Sequence, residues 1–247
     1  MKKSISFALL CLLFFCCDSS NEIKFETTSF HETACDACAS ISIDIPRAMG
    51  KSKIHTAINT ALSEEIIYIL NFDEETEASD IQTAIASFIE GYQELKSKYT
   101  EEATPWEAKI EGAISYEDET ILTLRLESYL FTGGAHGYST VRFLNFDKKK
   151  GIEIDNEKLF VNTDDFQKLA ENKFRLQEKI PDGAPINSTG FMFETDTFYL
   201  PNNMGYTPEG LQLFYEPYEI SSYADGAIIL NMTFEEIQPL LAFKPKS

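Results

Sequence analysis

Basic residues are scarce in this sequence: 21 Lys and Arg stand against 40 Asp and Glu, a formal charge of −19. That deficit argues against nucleic acid as a partner, because phosphate binding needs a basic face. Histidine is scarcer still, with only His31, His55 and His136. Three histidines and the pair Cys35 and Cys38 make a weak basis for a four-ligand zinc site. No metal and no cofactor is expected. Beyond the N-terminus no stretch is apolar enough to cross a bilayer as a helix. Internal repeats and low-complexity tracts are missing too, which leaves a chain that is 43% apolar and 13% aromatic, in the globular range.

What is present starts with Lys2-Lys3, an apolar run from Ile5 to Phe15, then Cys16-Cys17-Asp18-Ser19-Ser20. A basic start followed by a short apolar region reads as a secretory signal rather than a spanning helix. The cysteine after it resembles a bacterial lipobox, with Phe14 in place of the usual smaller aliphatic. Cys17 is the better acceptor because Cys16 then supplies the small preceding residue. The expectation is an exported lipoprotein of the bacterial envelope, periplasmic or outer-facing, touching the membrane through lipid alone. Loss of Lys2 and Lys3 takes the charge from −19 to −21, and an acidic surface steers in a cationic partner.

Cys35 and Cys38 form a Cys-x-x-Cys pair, which admits a redox site, half a zinc site or a disulfide. The redox reading lacks a following helix, because an alternating strand comes next. An oxidising compartment favours a structural disulfide. Three extended steps span about 10 Å, beyond the limit of about 7 Å for bridging, so Asp36-Ala37 must turn.

The expected organisation is a signal over 1–17, a tether over 18–37, an N-terminal α+β module over 38–160 and a C-terminal module over 161–247. Ile23 to Phe30 can form a strand, and Ile41, Ile43 and Ile45 alternate in a strand ended by Pro46. A helix follows from about Ser52, with Ile54, Ile58, Leu62, Ile66 and Leu70 on one stripe. A second, opened by a capping box of Ser79 and Gln82, carries Ile81, Ile85, Phe88, Tyr92, Leu95 and Tyr99 on one face. From Trp106 the period changes to two, predicting an antiparallel meander with hairpins near Tyr116–Glu119, Gly133–Gly137 and Asp147–Gly151. A third helix starts at Thr163 and stops before Pro181. Strands are expected near Phe198–Leu200, Leu211–Tyr215 and Ala227–Met232, then a short helix from the Thr233/Glu236 capping box that Pro239 cuts or bends. Helices grouped apart from an antiparallel sheet mean an α+β fold in two subdomains.

Two segments are candidates for function. In Tyr129-Leu-Phe-Thr-Gly-Gly-Ala-His-Gly137, Gly133 and Gly134 supply the positive φ of a tight hairpin, and Gly137 follows His136. His136 either packs beside the turn or serves as a general base, which requires a nucleophile or carboxylate in reach. In the second, an alternating strand from Leu211 runs into Pro217-Tyr218-Glu219 and Tyr223, with Gly226 opening the next strand. Tyrosines on a polar loop suit recognition, offering an apolar face and a polar tip; the alternative is that they plug the core.

These segments carry a resemblance. Thr132-Gly133-Gly134-Ala135-His136-Gly137, the Phe146-Asp147…Gly151 turn leading to Leu159-Phe160, and Pro217-Tyr218-Glu219-Ile220…Tyr223-Ala224-Asp225-Gly226 resemble the RsiV-type domain of unknown function. That domain is the extracytoplasmic part of the anti-sigma factor RsiV and recurs in the peptidoglycan deacetylase PdaC. The N-terminal half, with its strand ending at Pro46 and Ile58-Asn59 in the next helix, is similar to the module that precedes it. The resemblance spans about residues 38 to 243. It implies an α+β fold, an envelope location and recognition of a cationic protein such as lysozyme or of cell-wall glycan. Neither a cytoplasmic sigma-binding segment nor a deacetylase domain is read here, so a non-enzymatic binding module is expected. The enzyme alternative is a cell-wall hydrolase or peptidase using His136 and an unidentified carboxylate.

Overall fold

The computed structural model describes residues 22–33, 35, 38–72, 78–100 and 103–245. The expected signal over 1–17 with Cys17, and Asp36-Ala37, lie outside the described residues. Strands β1 (Phe25–Thr33), β2 (Ser40–Ala48), β3 (Glu107–Glu117), β4 (Ile121–Phe131), β5 (Tyr138–Asp147) and β6 (Ile152–Glu153) form one sheet in sequence order. All neighbours are antiparallel except β2 and β3. That parallel pair follows from the long crossover between them, α1 (Lys53–Leu70) and α2 (Ile81–Lys98).

The helices cover one face of the sheet. Ile58, Leu62, Ile66 and Leu70 recur at helical spacing and meet Ala84, Ile85, Phe88 and Tyr92 of α2 and Ile41, Ile43, Ile110, Leu122, Leu124 and Leu126 of the strands. Asn59 ties α1 to the end of β2: its side chain accepts the Ala48 N–H at 2.9 Å and donates to the Ala48 carbonyl at 3.0 Å.

A second unit follows. Helix α3 (Thr163–Gln177) packs with a small antiparallel sheet of β7 (Met204–Thr207), β8 (Gly210–Tyr215) and β9 (Ile228–Thr233), before the short α4 (Phe234–Ile237). This sheet lies against the far face of the first one. Three polar contacts join them: Ser115 Oγ donates to the Tyr206 carbonyl (2.6 Å), Asn145 Nδ2 to the Met204 carbonyl (2.8 Å), and the Phe143 N–H to Asn203 Oδ1 (2.9 Å); within the first sheet Thr123 Oγ1 donates to Asn145 Oδ1 (2.8 Å). Thr123, Asn145 and Asn203 are buried, and their pairing satisfies groups whose burial alone carries a penalty. Gly205 lets the backbones approach, since a Cβ there would sit 2.3 Å from the Phe143 ring.

The fold is α+β, as the patterning predicts, and six expectations need correction. The strand expected over Ile23–Phe30 is present as β1, and this edge strand of the first sheet takes up Phe25–Thr33 of the expected tether. Pro46 does not end β2, which continues to Ala48. The β2–β3 pairing stops at Asp44, and counting from the Met49 N–H to Lys24 carbonyl bond puts Pro46 at a non-hydrogen-bonded position opposite Thr27. The cap of α2 is one residue later, Asp80 with Thr83, because Asp80 accepts the Thr83 N–H at 2.8 Å. Tyr99 ends α2 as an exposed cap residue. Phe198–Leu200 is irregular, held as a plug by buried Phe198, while the unanticipated β7 pairs with β8. Ile154, Leu159 and Phe160, read as first-module residues, pack in the second core. Elsewhere Cys35 and Cys38 are disulfide-bonded with Cα atoms 5.1 Å apart, and the Cys38 N–H returns to the Cys35 carbonyl at 3.1 Å.

Candidate functional site

The two glycine-marked segments come together. The β4–β5 hairpin turns through Gly133 (φ +97°) and Gly134 (φ +89°), conformations that L side chains rarely adopt. Neither glycine has an atom within 4 Å of where its Cβ would be, so the backbone conformation, not crowding, calls for glycine there. Gly137 differs: a Cβ would meet the Tyr129 ring at 2.4 Å, so this glycine admits close stacking. From the other segment, Tyr223 Oη donates to the Gly137 carbonyl at 2.7 Å, and its ring stacks on His136 with centroids 3.9 Å apart at 16°. Tyr218 extends the row at 5.4 Å.

Tyr218 is 61% exposed and sits at φ +72°. Its turn is closed by the Glu219 N–H donating to the Glu216 carbonyl at 3.0 Å, with Pro217 and Tyr218 at the centre. A type II turn favours glycine at that third position, and a tyrosine there is strained. The carboxylates anchor the turn. Glu219 accepts the Glu216 N–H at 2.8 Å, and Glu216 accepts from Thr140 Oγ1 on the β5 edge and from Asn203 Nδ2. Burial pushes both carboxyls above the usual range; for Glu216 its hydrogen bonds oppose that shift.

Between this loop and the sheet lies an open groove of about 520 Å³. Its floor is the far face of β3–β5, with Lys109, Glu111, Glu127, Tyr129 and Val141, and its wall is Tyr223 with Asp225 and Ala227. Cross-strand register sets the charges: Glu111 is directly opposite Glu127 and Lys109 opposite Tyr129. Like charges directly opposite one another are unfavourable. Each is relieved by a same-strand partner, Lys109 for Glu111 at 2.9 Å and Arg125 for Glu127. Asp225 is held by the Ser222 N–H and hydroxyl at 3.1 and 2.6 Å. Three carboxylates thus border the groove against one ammonium.

Of the sites expected from sequence, His136, Gly137, Tyr218 and Tyr223 meet directly, Pro217 lines the groove, and Glu219 braces the turn. Gly133 and Gly134 shape the hairpin only. Glu111, Glu127, Thr140, Asn203 and Glu216 were missed. Outward alternation in β3 and β4 marks the first two as solvent-facing, but does not tell an open face from a covered one. His136 has its hydrogen-bond contact with the Gly137 carbonyl at 3.2 Å, and among the described residues no carboxylate is bonded to it. Nor do the described residues contain a group of three or more His, Cys, Asp or Glu side chains placed to hold a metal ion.

Comparison with known proteins also divides the chain in two. Residues 32–139 match the family model described as deacetylase PdaC, and residues 157–235 match that of a protein of unknown function, DUF3298. The chain thus carries a region similar to the PdaC family followed by one similar to DUF3298. Both resemblances read from sequence are thereby supported at family level. A DUF3298 family structure from Bacteroides fragilis superposes with a TM-score of 0.67 at 20% identity, over 90% of this chain and 95% of that one. Another from Pseudomonas aeruginosa gives 0.67 at 16% identity, over 91% and 97%. At such identities the likeness speaks for the fold alone. No curated protein matches the chain. In these terms the groove floor lies mainly in the PdaC-like region and its wall in the DUF3298-like region, with Tyr223–Gly137 as one bond between them.

Proposed function

We propose that this protein is a non-enzymatic recognition module of the bacterial envelope, exported by residues 1–17 and lipid-anchored at Cys17. Its ligand is a basic envelope protein of the lysozyme kind or cell-wall glycan, taken into the groove between hairpin and loop. The observation that carries this reading is the convergence of His136, Tyr223 and Tyr218 on one accessible rim, fastened by the Tyr223–Gly137 hydrogen bond. Tyrosines so placed supply contact area at little entropic cost. The acidic border supports a cationic or amine-bearing visitor. A strained, exposed Tyr218 supports it further, because glycine would serve the turn better and the ring contributes little to the core.

The test separates binding from folding. The lipid-free chain from residue 18 is assayed by pull-down at low salt against a lysozyme and against insoluble peptidoglycan. Tyr223→Ala abolishes retention while the circular dichroism spectrum stays unchanged. Tyr218→Gly weakens retention yet raises stability by about 1 kcal/mol through relief of the left-handed strain. No retention of the wild-type domain by either probe sinks the proposal.

A further inference from the structure

Beyond general recognition, we infer that the groove is a subsite for a hexosamine whose amine is free and protonated, within a glycan chain. This rests on the recognition reading above and names its ligand chemistry. Three observations converge on it. The first is size: about 520 Å³ is in the range of small-molecule sites rather than of flat protein contacts. The second is the pair of aromatic platforms. Tyr223 stacks on His136 with Tyr218 5.4 Å away, and Tyr129 is pressed over Gly137; both rings line the groove, and these contacts hold their planes. Flat, immobilised rings suit the apolar face of a sugar ring and lose little rotamer freedom on binding.

The third observation is charge. Glu111 and Glu127 face each other across β3 and β4, and in the same row Asp44 of β2 is directly opposite Glu111. The carboxylate row therefore continues from the groove along the open sheet. Lys109 and Arg125 each pair with one of these acids, leaving the row and Asp225 with an excess of negative charge. Glu111 and Glu127 remain about half exposed, at 55% and 54%, so an arriving ammonium reaches them without displacing the fold. The groove also offers Ser139 and Thr140 on its β5 side, a neutral polar border for sugar hydroxyls. An N-acetylated sugar fills the same aromatic platform but brings no charge to the carboxylate row. A long basic side chain brings the charge without the ring.

Calorimetric titration of the full domain with a β-linked glucosamine tetramer and with its fully N-acetylated counterpart tests this. The pH is chosen so that the free amines are protonated. The free-amine oligomer is expected to bind at least about tenfold more tightly, the scale of one added charge-assisted hydrogen bond. Glu127→Gln, and separately Glu111→Gln, should shrink that preference towards unity while leaving the N-acetylated oligomer unaffected. Tyr223→Ala should weaken both. Equal or tighter binding of the N-acetylated oligomer overturns the inference and leaves recognition standing. So does failure of both oligomers while lysozyme or peptidoglycan is retained. If the wild-type domain retains none of the four, both readings fall together.

Discussion

The core under α1 and α2 is mainly aliphatic, with Ile, Leu and Ala on regular stripes, whereas the core of the second unit centres on rings. Phe174 touches Phe191, Phe193, Phe198 and Tyr215 with centroids 5.0 to 6.1 Å apart. Side chains there also do work that a backbone ladder does in the first unit. Tyr215 Oη donates to the Tyr199 carbonyl at 2.7 Å, Gln167 to the Phe198 carbonyl at 2.9 Å, and Asn187 both accepts from and donates to Phe193 at 2.8 Å. A core of repeating aliphatic positions tolerates loss of one member more evenly than a core gathered on one ring. The difference teaches where each unit is vulnerable.

Phe174→Ala should break the second unit hardest, at about 4 kcal/mol in chemical denaturation, since four aromatic partners lose a shared neighbour. Leu124→Ala in the first core should cost about 3 kcal/mol; a cost above that of Phe174→Ala reverses the comparison. Asn203→Ala comes next. It leaves the Phe143 N–H and the Val141 carbonyl without their side-chain partner, at about 2 kcal/mol. Because that side chain joins the two sheets, loss of a single cooperative transition by fluorescence and circular dichroism would show the units to be separable. Coincident transitions would show the remaining contacts to suffice.

The smallest effect is a pH dependence. The folded Glu216 carboxyl lies above its unfolded value because of burial. Its contribution is therefore most favourable when protonated, and stability falls as pH rises from the unfolded towards the folded value. Glu216→Gln should flatten that slope in thermal melts across the carboxylate range. An unchanged slope assigns the dependence to other carboxyls, Glu219 first, whose burial pushes it the same way.

Much of the first unit was legible because its elements repeat. The stripe Ile58, Leu62, Ile66, Leu70 and the alternation Ile41, Ile43, Ile45 each bury one face, and burial is what periodicity reports. The second unit was less so. Between Pro181 and Met204 the chain is held by Phe193, Phe198 and side-chain-to-backbone bonds, which leave no period to read; β7 was missed for the same reason. The glycines of the hairpin declared a turn, and the tyrosines of the second loop a surface. That Tyr223 reaches Gly137, 86 residues away, has no local signature.

Local physical chemistry therefore determined the α+β class, the helix stripes, the hairpin at Gly133-Gly134 and the acidity, since each depends on residues near in the chain or on composition alone. Tertiary structure decided which outward face of β3 and β4 stays open. It also decided that Glu111 and Glu127 are neighbours and that two distant turns make one rim. The reason is register: strand pairing and the docking of one sheet on another set those distances, and both depend on contacts between segments far apart in sequence.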